Sequence, residues 1–301
     1  MQKRPANITD LPTVLQHLPF YDVLRRYPPE LTVPFLRQAS WHDDQASGRL
    51  ATVRERAARL FLTLPTVERR RAQDRLAAYL ATRMVDPLVV HLYGGDGRFL
   101  AHYVTVEGEG VWEDAYRQYG RAVLVSPHWG PYLATPGLLR QLGIRLTIPI
   151  DAELVPMWEA FARHFGEDLT MTRYVGIPGQ PATERLAANL AAGYTPFITP
   201  DFNLGRPSGM MVPFLGRPLP ATTGPARLAL GANVPILPVV LTLVSPLRYH
   251  LAFGDPLFWP EREAPSVEVL TRRIFACLDE VVQRDPALWW GWMAYEPAPI
   301  S

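Results

Sequence analysis

The chain has 301 residues, of which 48% are hydrophobic and 20% charged, so it can bury a sizeable core and is too apolar for a disordered protein. Its 30 Lys and Arg residues against 29 Asp and Glu residues give a net charge of +1, which offers no electrostatic reason to expect a nucleic-acid partner. The single cysteine, Cys277, excludes an intrachain disulfide, and the scattered histidines show no metal-ligand spacing, so neither a metal nor another cofactor is predicted.

No secretory signal is recognisable at the N-terminus, and no uninterrupted apolar stretch of about eighteen residues predicts a transmembrane helix. We therefore predict a cytoplasmic protein. Two short apolar segments, residues 18–21 and 33–36, leave peripheral contact with the inner membrane open, although packing against the protein's own core is the favoured interpretation.

Residues 1–95 are predicted to be mainly helical. Apolar residues recur at helical spacing from Leu50 to Leu64, opposite a face of Arg and Glu, and a second helix is predicted to begin with Thr66 as its N-cap. We expect this helical N-terminal region to pack on an α/β core formed by residues 96–301.

From residue 96 onward, short β-branched runs alternate with helical patterns, which is typical of a mostly parallel central sheet flanked by helices. Ligands of such sheets gather at the carboxyl ends of the strands. The predicted strands are residues 100–106, 122–126, 145–150, 169–175, 195–200, 236–244 and 249–253, and the predicted helices are residues 111–119, 131–142, 155–165, 183–192, 222–231 and 267–284.

His128 follows a buried strand-forming run, Val123 to Val125, and precedes Gly130-Pro131, which is predicted to open the next helix. The histidine is therefore expected at a strand-to-helix elbow, on the sheet edge where ligands bind. There it can act as a general base toward a hydroxyl or an amine. The alternative is a hydrogen-bonded structural histidine, which would be the better interpretation if His128 stood alone.

The segment SPHWGPYL at residues 126–133 is followed by Asp201, by PFLG at residues 213–216, by a block at residues 222–229 and by DPALWWGW at residues 285–292. This ordered set resembles the late acyltransferases of lipid A synthesis, a branch of the lysophospholipid acyltransferase superfamily. The first block of that family reads His-(Phe/Trp)-Gly-Asn-Trp-Glu, and its last reads Pro-x-x-Trp-x-Trp. The ordered set is specific, whereas each block alone is weak.

The resemblance implies a glycerolipid acyltransferase-like fold. It also implies transfer of a fatty acyl group from an acyl-carrier-protein or coenzyme A thioester to an acceptor hydroxyl or amine. Neither a metal nor a covalent enzyme intermediate takes part in the family's reaction. There the histidine takes the acceptor's proton, and a carboxylate five residues later orients the imidazole.

The orienting carboxylate is missing at its usual place, because Leu133 stands five residues after His128 and Pro131 replaces the family's Asn. Leucine cannot accept the imidazole N–H, and loss of the acid leaves the wrong tautomer accessible. Three interpretations stay open: a carboxylate from elsewhere serves, His128 acts alone on a reactive substrate, or the site is catalytically dead and only binds acyl chains. The first is favoured, with Asp201 as the acid because it follows the apolar run 195–199 on the same predicted edge.

Asp201 has an alternative role, the capping of N–H groups in a local turn. Asp151 and Glu153, which follow another predicted strand, are the next candidates for the orienting acid.

Ser126 lacks the Gly-x-Ser-x-Gly context of a nucleophile elbow, so no serine triad is predicted. Trp289, Trp290 and Trp292 are interpreted as packing residues.

Five residues are candidates for substrate contact. Trp129 and Tyr132 lie in the same block as His128, and Arg173 and Arg217 could contact an anion. In the family, the block that here holds Arg217 binds acceptor phosphate or stabilises the oxyanion, and backbone N–H groups near Gly216 could do the latter. For both arginines a surface ion pair is an equally good interpretation.

We therefore predict an acyltransferase of a specialised bacterial biosynthetic pathway, with His128 as general base and Asp201 as its orienting acid. Its donor would be an acyl-carrier-protein or coenzyme A thioester of a fatty or polyketide chain, and its acceptor a small molecule or a lipid. The altered block and the lack of a predicted membrane helix argue against lipid A itself. The alternatives are a thioester hydrolase or cyclase that releases a carrier-bound chain, and a non-catalytic acyl-binding partner subunit.

Overall fold

The computed structural model describes residues 19–46, 48, 51, 53–55, 66–177, 182–202, 210–262 and 265–293. Within these residues, nine strands form one large sheet and one hairpin. The strands are β1 Val104–Glu107, β2 Val123–Val125, β3 Leu146–Asp151, β4 Thr172–Ile177, β5 Thr195–Ile198, β6 Met211–Phe214, β7 Arg217–Pro220, β8 Ile236–Ser245 and β9 Arg248–Phe253.

The large sheet has seven strands in the order β1-β9-β8-β2-β5-β3-β4, and β6 pairs with β7 in the separate hairpin. Strands β8, β2, β5, β3 and β4 run parallel, whereas β9 runs antiparallel to β8 and parallel to β1. Every side chain of β2 and β5 is buried, because central strands of a parallel sheet are covered by helices on both faces. The predicted fold class, a mostly parallel sheet flanked by helices, is confirmed.

The helices form where apolar residues recur at helical spacing beside a capping residue. In the last helix, Ser266 accepts a hydrogen bond from the Val269 N–H at 3.2 Å, and Leu270, Ile274 and Leu278 bury one face against the core. The helices are α1 Pro29–Ala46, α2 Thr66–Thr82, α3 Val85–Tyr93, α4 Arg98–Tyr103, α5 Glu109–Tyr119, α6 Thr135–Gln141, α7 Val155–His164, α8 Ala182–Ala191, α9 Gly224–Ala232 and α10 Val267–Gln283.

The sheet separates two hydrophobic cores. Successive side chains of a strand point to opposite faces, so Val123 and Val125 join the core beneath α2, α9 and α10, whereas Leu124 joins the core beneath α3, α6 and α7. The N-terminal helices belong to this architecture. Arg37 of α1 pairs with buried Asp86 of α3 at 2.6 Å, and Asp86 also accepts the hydroxyl hydrogen of Tyr249 in β9 at 2.7 Å.

Three parts of the predicted secondary structure differ from the structure. Residues 100–103 are the end of helix α4 rather than the start of a strand, and residues 169–171 form a 3-10 turn before β4. Pro131 does not open a helix. It lies in a turn that precedes a 3-10 segment, and α6 begins at Thr135 with Pro136 in its first turn.

Two further statements of the sequence analysis remain predictions. Most of the helix predicted from Leu50 to Leu64 lies outside the described residues. The division of the chain at residue 95 stays a prediction, although helices do continue to Tyr103 before β1 begins.

The two short apolar segments divide between the core and the surface. Val33 and Leu36 are buried, as the favoured interpretation expected, but Phe20, Leu31 and Phe35 are 43%, 65% and 50% exposed. Phe20 and Phe35 lie side by side, with ring centroids 6.1 Å apart. Among the described helices, none combines the length and the apolar character that crossing a membrane requires.

Candidate active site

The register of the central strands brings His128 and Asp201 together. Val125 at the end of β2 pairs with Ile198 at the end of β5. His128 and Asp201 each follow their strand by three residues, so both emerge at the same height on the carboxyl edge of the sheet. The Ser126 N–H donates to the Ile198 carbonyl at 3.1 Å and extends the pairing beyond the strands.

Asp201 receives three donors, and two of them belong to His128. Its Oδ1 lies 2.8 Å from His128 Nδ1, and its Oδ2 accepts the His128 backbone N–H at 2.9 Å. The indole N–H of Trp289 donates to Oδ2 at 2.7 Å. The Asp201 side chain is fully buried, and these donors supply the compensation that a buried carboxylate requires.

The other ring nitrogen of His128, Nε2, contacts a hydroxyl. Thr199 Oγ1 lies 3.0 Å from it. Since Nδ1 faces a carboxylate, which only accepts hydrogen bonds when ionised, Nδ1 carries the proton and Nε2 accepts from Thr199. The row Asp201–His128–Thr199 therefore links a carboxylate, an imidazole and a hydroxyl in the order that activates a nucleophile.

Aromatic rings enclose the imidazole. Tyr132 and Phe202 present their rings edge-on to it at centroid distances of 4.9 and 5.7 Å, and Trp290 lies 5.8 Å away. The Trp290 N–H donates to the His128 carbonyl at 2.8 Å, so the C-terminal aromatic segment also fixes the backbone of the loop. Gly130 has a φ of +56° in this loop, a conformation that glycine adopts without strain.

His128 and Thr199 both line a cavity of about 690 Å³, a volume typical of small-molecule sites. The cavity extends from the carboxyl edge between β3, β4 and helices α3, α6 and α7. Its lining is mostly apolar and includes the side chains of Leu133, Ile148, Leu154, Met157, Trp158 and Phe197. Leu133 thus faces the cavity at the position where the relatives carry an acid.

One part of the cavity wall is charged. His91 and Arg140 line it, and Glu167 ion-pairs with both of them, at 2.5 Å from Arg140 Nη2. Tyr174 lies beside Arg140, and burial raises the pKa of its hydroxyl to about 12. Desolvation likewise raises the pKa of the Tyr132 hydroxyl next to His128, so both phenols remain protonated at neutral pH.

The first turn of α9 reaches the same cavity, because Thr223, Gly224 and Pro225 line it. The first N–H groups of a helix have no partner within the helix and carry partial positive charge. They could donate hydrogen bonds to an oxyanion, which is the role that the sequence analysis assigns to backbone N–H groups near Gly216.

Four of the substrate-contact predictions need correction. Gly216 and Arg217 belong to the hairpin turn, where the neighbouring Leu215 N–H donates to Asp279 of α10 at 2.7 Å, and neither of the two lines the cavity. Arg173 points away from the cavity, stacks on the ring of Tyr194 and donates to Asn189 at 3.0 Å. The alternation of side chains in β4 explains this, because Tyr174 takes the cavity side.

Trp129 is the fourth. It is buried, and its indole donates to the Asp285 carbonyl at 2.8 Å rather than facing the cavity. Among the substrate-contact candidates, Tyr132 does line it. Asp151, the reserve candidate for the acid, also lines the cavity, and its Oδ1 accepts from the Glu153 N–H at 3.3 Å. His128 and Asp201 are therefore brought together as expected, and their catalytic roles stay a prediction.

Sequence reasoning missed Thr199 and the role of Trp289. Thr199 was read as part of a strand, and Trp289 as packing. The Thr-Pro-Asp run immediately after a buried strand was the available signal for the first. For the second, only the resemblance of the closing Trp segment placed it near the site, and nothing in its spacing predicts where the indole N–H points.

Cys277 does not line the cavity, and the described residues offer no metal site. Among the described residues, no three His, Cys, Asp or Glu side chains form a group that could hold a metal ion. Burial raises the pKa of the Cys277 thiol to about 11, so the thiol is protonated and a poor nucleophile at neutral pH.

Comparison with known proteins connects this geometry to acyl transfer. Residues 175–294 match the family of bacterial lipid A biosynthesis acyltransferases. The match confirms the resemblance over a range that includes Thr199, Asp201 and Trp289, whereas His128 precedes it. The matched range is less than half of the chain, and it indicates acyltransferase activity in general.

Among solved structures, the chain is similar to the 1-acyl-sn-glycerophosphate acyltransferase PlsC from Thermotoga maritima, with 16% sequence identity and a TM-score of 0.43. That comparison covers 87% of this chain and 99% of the other. No curated protein sequence matches the chain significantly.

Proposed function

We propose that this acyltransferase moves an acyl group from a thioester to a hydroxyl or amine acceptor, with His128 as the general base and Asp201 as its orienting acid. The observation that carries the proposal is the His128–Asp201 pair in the wall of a largely apolar cavity. The match of residues 175–294 to an acyltransferase family supports the type of reaction.

The proton follows a short route. Asp201 accepts the Nδ1 proton of His128 and so fixes the tautomer in which Nε2 has the lone pair. Nε2 can then take a proton from the attacking hydroxyl or amine. When the carbon–sulfur bond breaks, the same proton passes to the departing thiolate, so the products are an ester or amide and a free thiol.

The remaining parts of the cavity fit the other needs of this reaction. The first turn of α9 offers N–H groups to the oxyanion that forms on the thioester carbonyl. The apolar wall between Leu133 and Trp158 suits a fatty or polyketide chain, which gains about 25 cal/mol for each Å² of apolar surface removed from water.

We further propose an acyl-carrier-protein or coenzyme A thioester as the donor, no resident cofactor, and a role in a specialised bacterial biosynthetic pathway. A small molecule or a lipid would be the acceptor. The reaction would take place in the cytoplasm, and the exposed Phe20, Leu31 and Phe35 support a peripheral contact with the inner membrane.

The test is to mix the purified protein with acyl-carrier-protein and coenzyme A thioesters, with and without hydroxyl and amine acceptors, and to follow thiol release and acylated product. His128→Ala is expected to lower product formation by about 10³-fold or more. His102→Gln is the matched control, because His102 is exposed, its side chain hydrogen-bonds the Arg98 carbonyl of its own helix, and it does not line the cavity.

Each result separates the candidate functions. Acylated product that depends on His128 supports transfer. Free acid formed at the same rate without any acceptor would replace transfer by thioester hydrolysis. Bound thioester without thiol release would leave the chain an acyl-binding protein, and equal activity of wild type and His128→Ala would remove His128 as the base.

A further inference from the structure

We infer that Thr199 is a nucleophile, and that the acyl group rests on its hydroxyl as an ester between donor and acceptor. The inference rests on the proposed function, since it concerns the route of the same acyl group. It replaces the direct transfer that the resemblance to lipid A acyltransferases implies by two steps through a covalent intermediate.

The hydrogen bonds of His128 carry the inference. Its Nδ1 lies 2.8 Å from Asp201 and its Nε2 lies 3.0 Å from Thr199 Oγ1. A nucleophilic hydroxyl needs a base within this distance and a third group that orients the base. Asp201, His128 and Thr199 satisfy both requirements in one connected row.

The backbone around Thr199 holds the hydroxyl in place. Thr199 follows the fully buried β5, and the Ser126 N–H fixes the preceding residue by its hydrogen bond to the Ile198 carbonyl. Pro200 restricts the backbone on the other side, and Asp201 is anchored by His128 and Trp289. Nucleophile and acid thus lie two residues apart on one rigid segment, with the base supplied by the neighbouring strand.

Thr199 is also accessible to a substrate, because it lines the cavity beside Phe202 and Trp290. Its hydroxyl occupies the lone pair of Nε2 that direct attack by an acceptor would need. An acceptor can reach this nitrogen only when Thr199 has given way, and acylation of Thr199 is the step that removes its hydrogen bond.

The chemical steps balance. Thr199 Oγ attacks the thioester carbonyl carbon while His128 Nε2 takes its proton, and the carbon–sulfur bond then breaks as the thiolate takes that proton from His128. In the second half, the acceptor oxygen or nitrogen attacks the Thr199 ester and gives its proton to Nε2. The bond from carbon to Oγ breaks, and Thr199 recovers a proton from His128.

The experiment is rapid mixing of the wild-type protein with an excess of acyl-coenzyme A or acyl-carrier-protein thioester in the absence of acceptor. We expect a burst of thiol release approaching one equivalent of protein. Intact-mass spectrometry of the quenched sample should show the added acyl group, and peptide mapping should place it on Thr199.

Two substitutions and a control complete the test. Thr199→Ser keeps a hydroxyl and should retain the burst and the adduct. Thr199→Val keeps the shape and should lose both, with transfer falling by about 100-fold or more. Ser126→Ala is the control, because the buried Ser126 hydroxyl contacts only the Pro127 carbonyl and lies outside the cavity lining; its burst should equal that of wild type.

The outcomes distinguish this inference from the proposed function. Transfer by Thr199→Val at the wild-type rate, or wild-type turnover without any burst or added mass, would overturn the covalent step while His128-dependent transfer stands. Absence of any thioester chemistry in the wild type would instead overturn the proposed function. The mass measurement uses the wild-type protein, so it decides the matter even if Thr199→Val fails to fold.

Discussion

His128 is held from both sides and through its backbone. Asp201 contacts its Nδ1 and its N–H, Thr199 contacts its Nε2, and the Trp290 N–H holds its carbonyl. The ring can therefore neither flip nor swing away without breaking several hydrogen bonds. Such preorganisation is what a general base needs, because its reach must match the reacting atom within a fraction of an ångström.

Asp201→Asn should lower the rate of thiol release by about 10³–10⁴-fold, because an amide can donate to Nδ1 and stabilise the wrong tautomer. Steady-state kinetics on the thioester donor would measure the change, which should fall on kcat rather than on KM. A drop confined to KM would assign Asp201 to substrate binding. Asp279→Asn is the control for the chemical change itself, because the Asp279 carboxylate accepts from the Leu215 N–H and does not line the cavity.

Trp289→Phe should lower kcat by about ten- to 150-fold, because the indole donates to the buried carboxylate and a bond to a charged group contributes roughly 1.5–3 kcal/mol. Trp289 does not line the cavity, so KM should stay unchanged. Trp292→Phe is a matched control, since its indole donates to the Pro286 carbonyl at 2.6 Å and not to the site. Equal losses in both variants would assign Trp289 to packing alone.

At the scale of the elements, the sequence predicted the strands that carry the site better than their neighbours. Strands β2 and β5 read as apolar runs because they are buried on both faces. Their carboxyl ends therefore located His128 and Asp201. The sequence analysis does not predict the hairpin of β6 and β7, because its strands contain three prolines and their buried side chains alternate with more exposed ones.

Contacts that depend on the packing of distant elements could not be predicted. Gly216 and Arg217 follow a block that resembles a family's ligand-binding segment, yet the turn that holds them packs on α10. In β4, the side chain of Tyr174 faces the cavity and that of Arg173 faces away from it. The sequence of this short strand shows no clear alternation from which these directions could be predicted. Threonine is common in strands, so the residue type of Thr199 does not indicate a function. Only the position of the His128 imidazole gives its hydroxyl a role.

Among the elements, α3, α6 and the segment after α7 meet at the His91–Glu167–Arg140 cluster. Burial raises the pKa of Glu167, but the hydrogen bond from His91 and the positive charges of His91 and Arg140 outweigh it, so the net pKa lies below its ordinary value. A carboxyl with a lowered folded-state pKa stabilises the fold above its unfolded pKa, and this contribution disappears as pH falls through the folded value.

Glu167→Gln should therefore destabilise the protein at pH 7, by about 1–3 kcal/mol, because the partly buried Arg140 and the buried ring of His91 lose their carboxylate partner. It should also reduce the loss of stability between pH 7 and pH 3, with the difference arising below the unfolded-state pKa of about 4.3. Urea unfolding of both proteins at the two pH values measures this. Glu159→Gln is the control, since Glu159 pairs with the exposed Arg163 on the surface; an equal pH dependence of wild type and Glu167→Gln would contradict the assignment.

At the scale of the whole molecule, one surface is unusually apolar. Phe20, Leu31 and Phe35 are exposed on the N-terminal helices, and Val23 and Tyr27 lie in the same segment. Scattered exposed apolar residues are common, whereas a contiguous group marks a contact surface. On the proposed function, such a surface would bring the cavity to an acyl donor or acceptor at a membrane.

Replacement of Phe20, Leu31 and Phe35 by Ser should weaken binding to phospholipid vesicles in a co-sedimentation assay by more than tenfold, since even one buried apolar side chain contributes roughly 1.5–3 kcal/mol. The melting temperature should change little, because all three side chains are already exposed. Val67→Ser and Met211→Ser, which change exposed apolar residues elsewhere, are the controls. Unchanged sedimentation would remove the membrane contact from the account.

The proposed function depends on His128 and Asp201 acting as one catalytic unit, and a double-mutant cycle on acyl transfer tests this most directly. The rate of acylated-product formation is measured for wild type, His128→Ala, Asp201→Asn and the double variant. The account predicts that both single variants lose most of the activity, and that the double variant is no slower than His128→Ala. Losses that multiply in the double variant, or full activity in either single one, would contradict it.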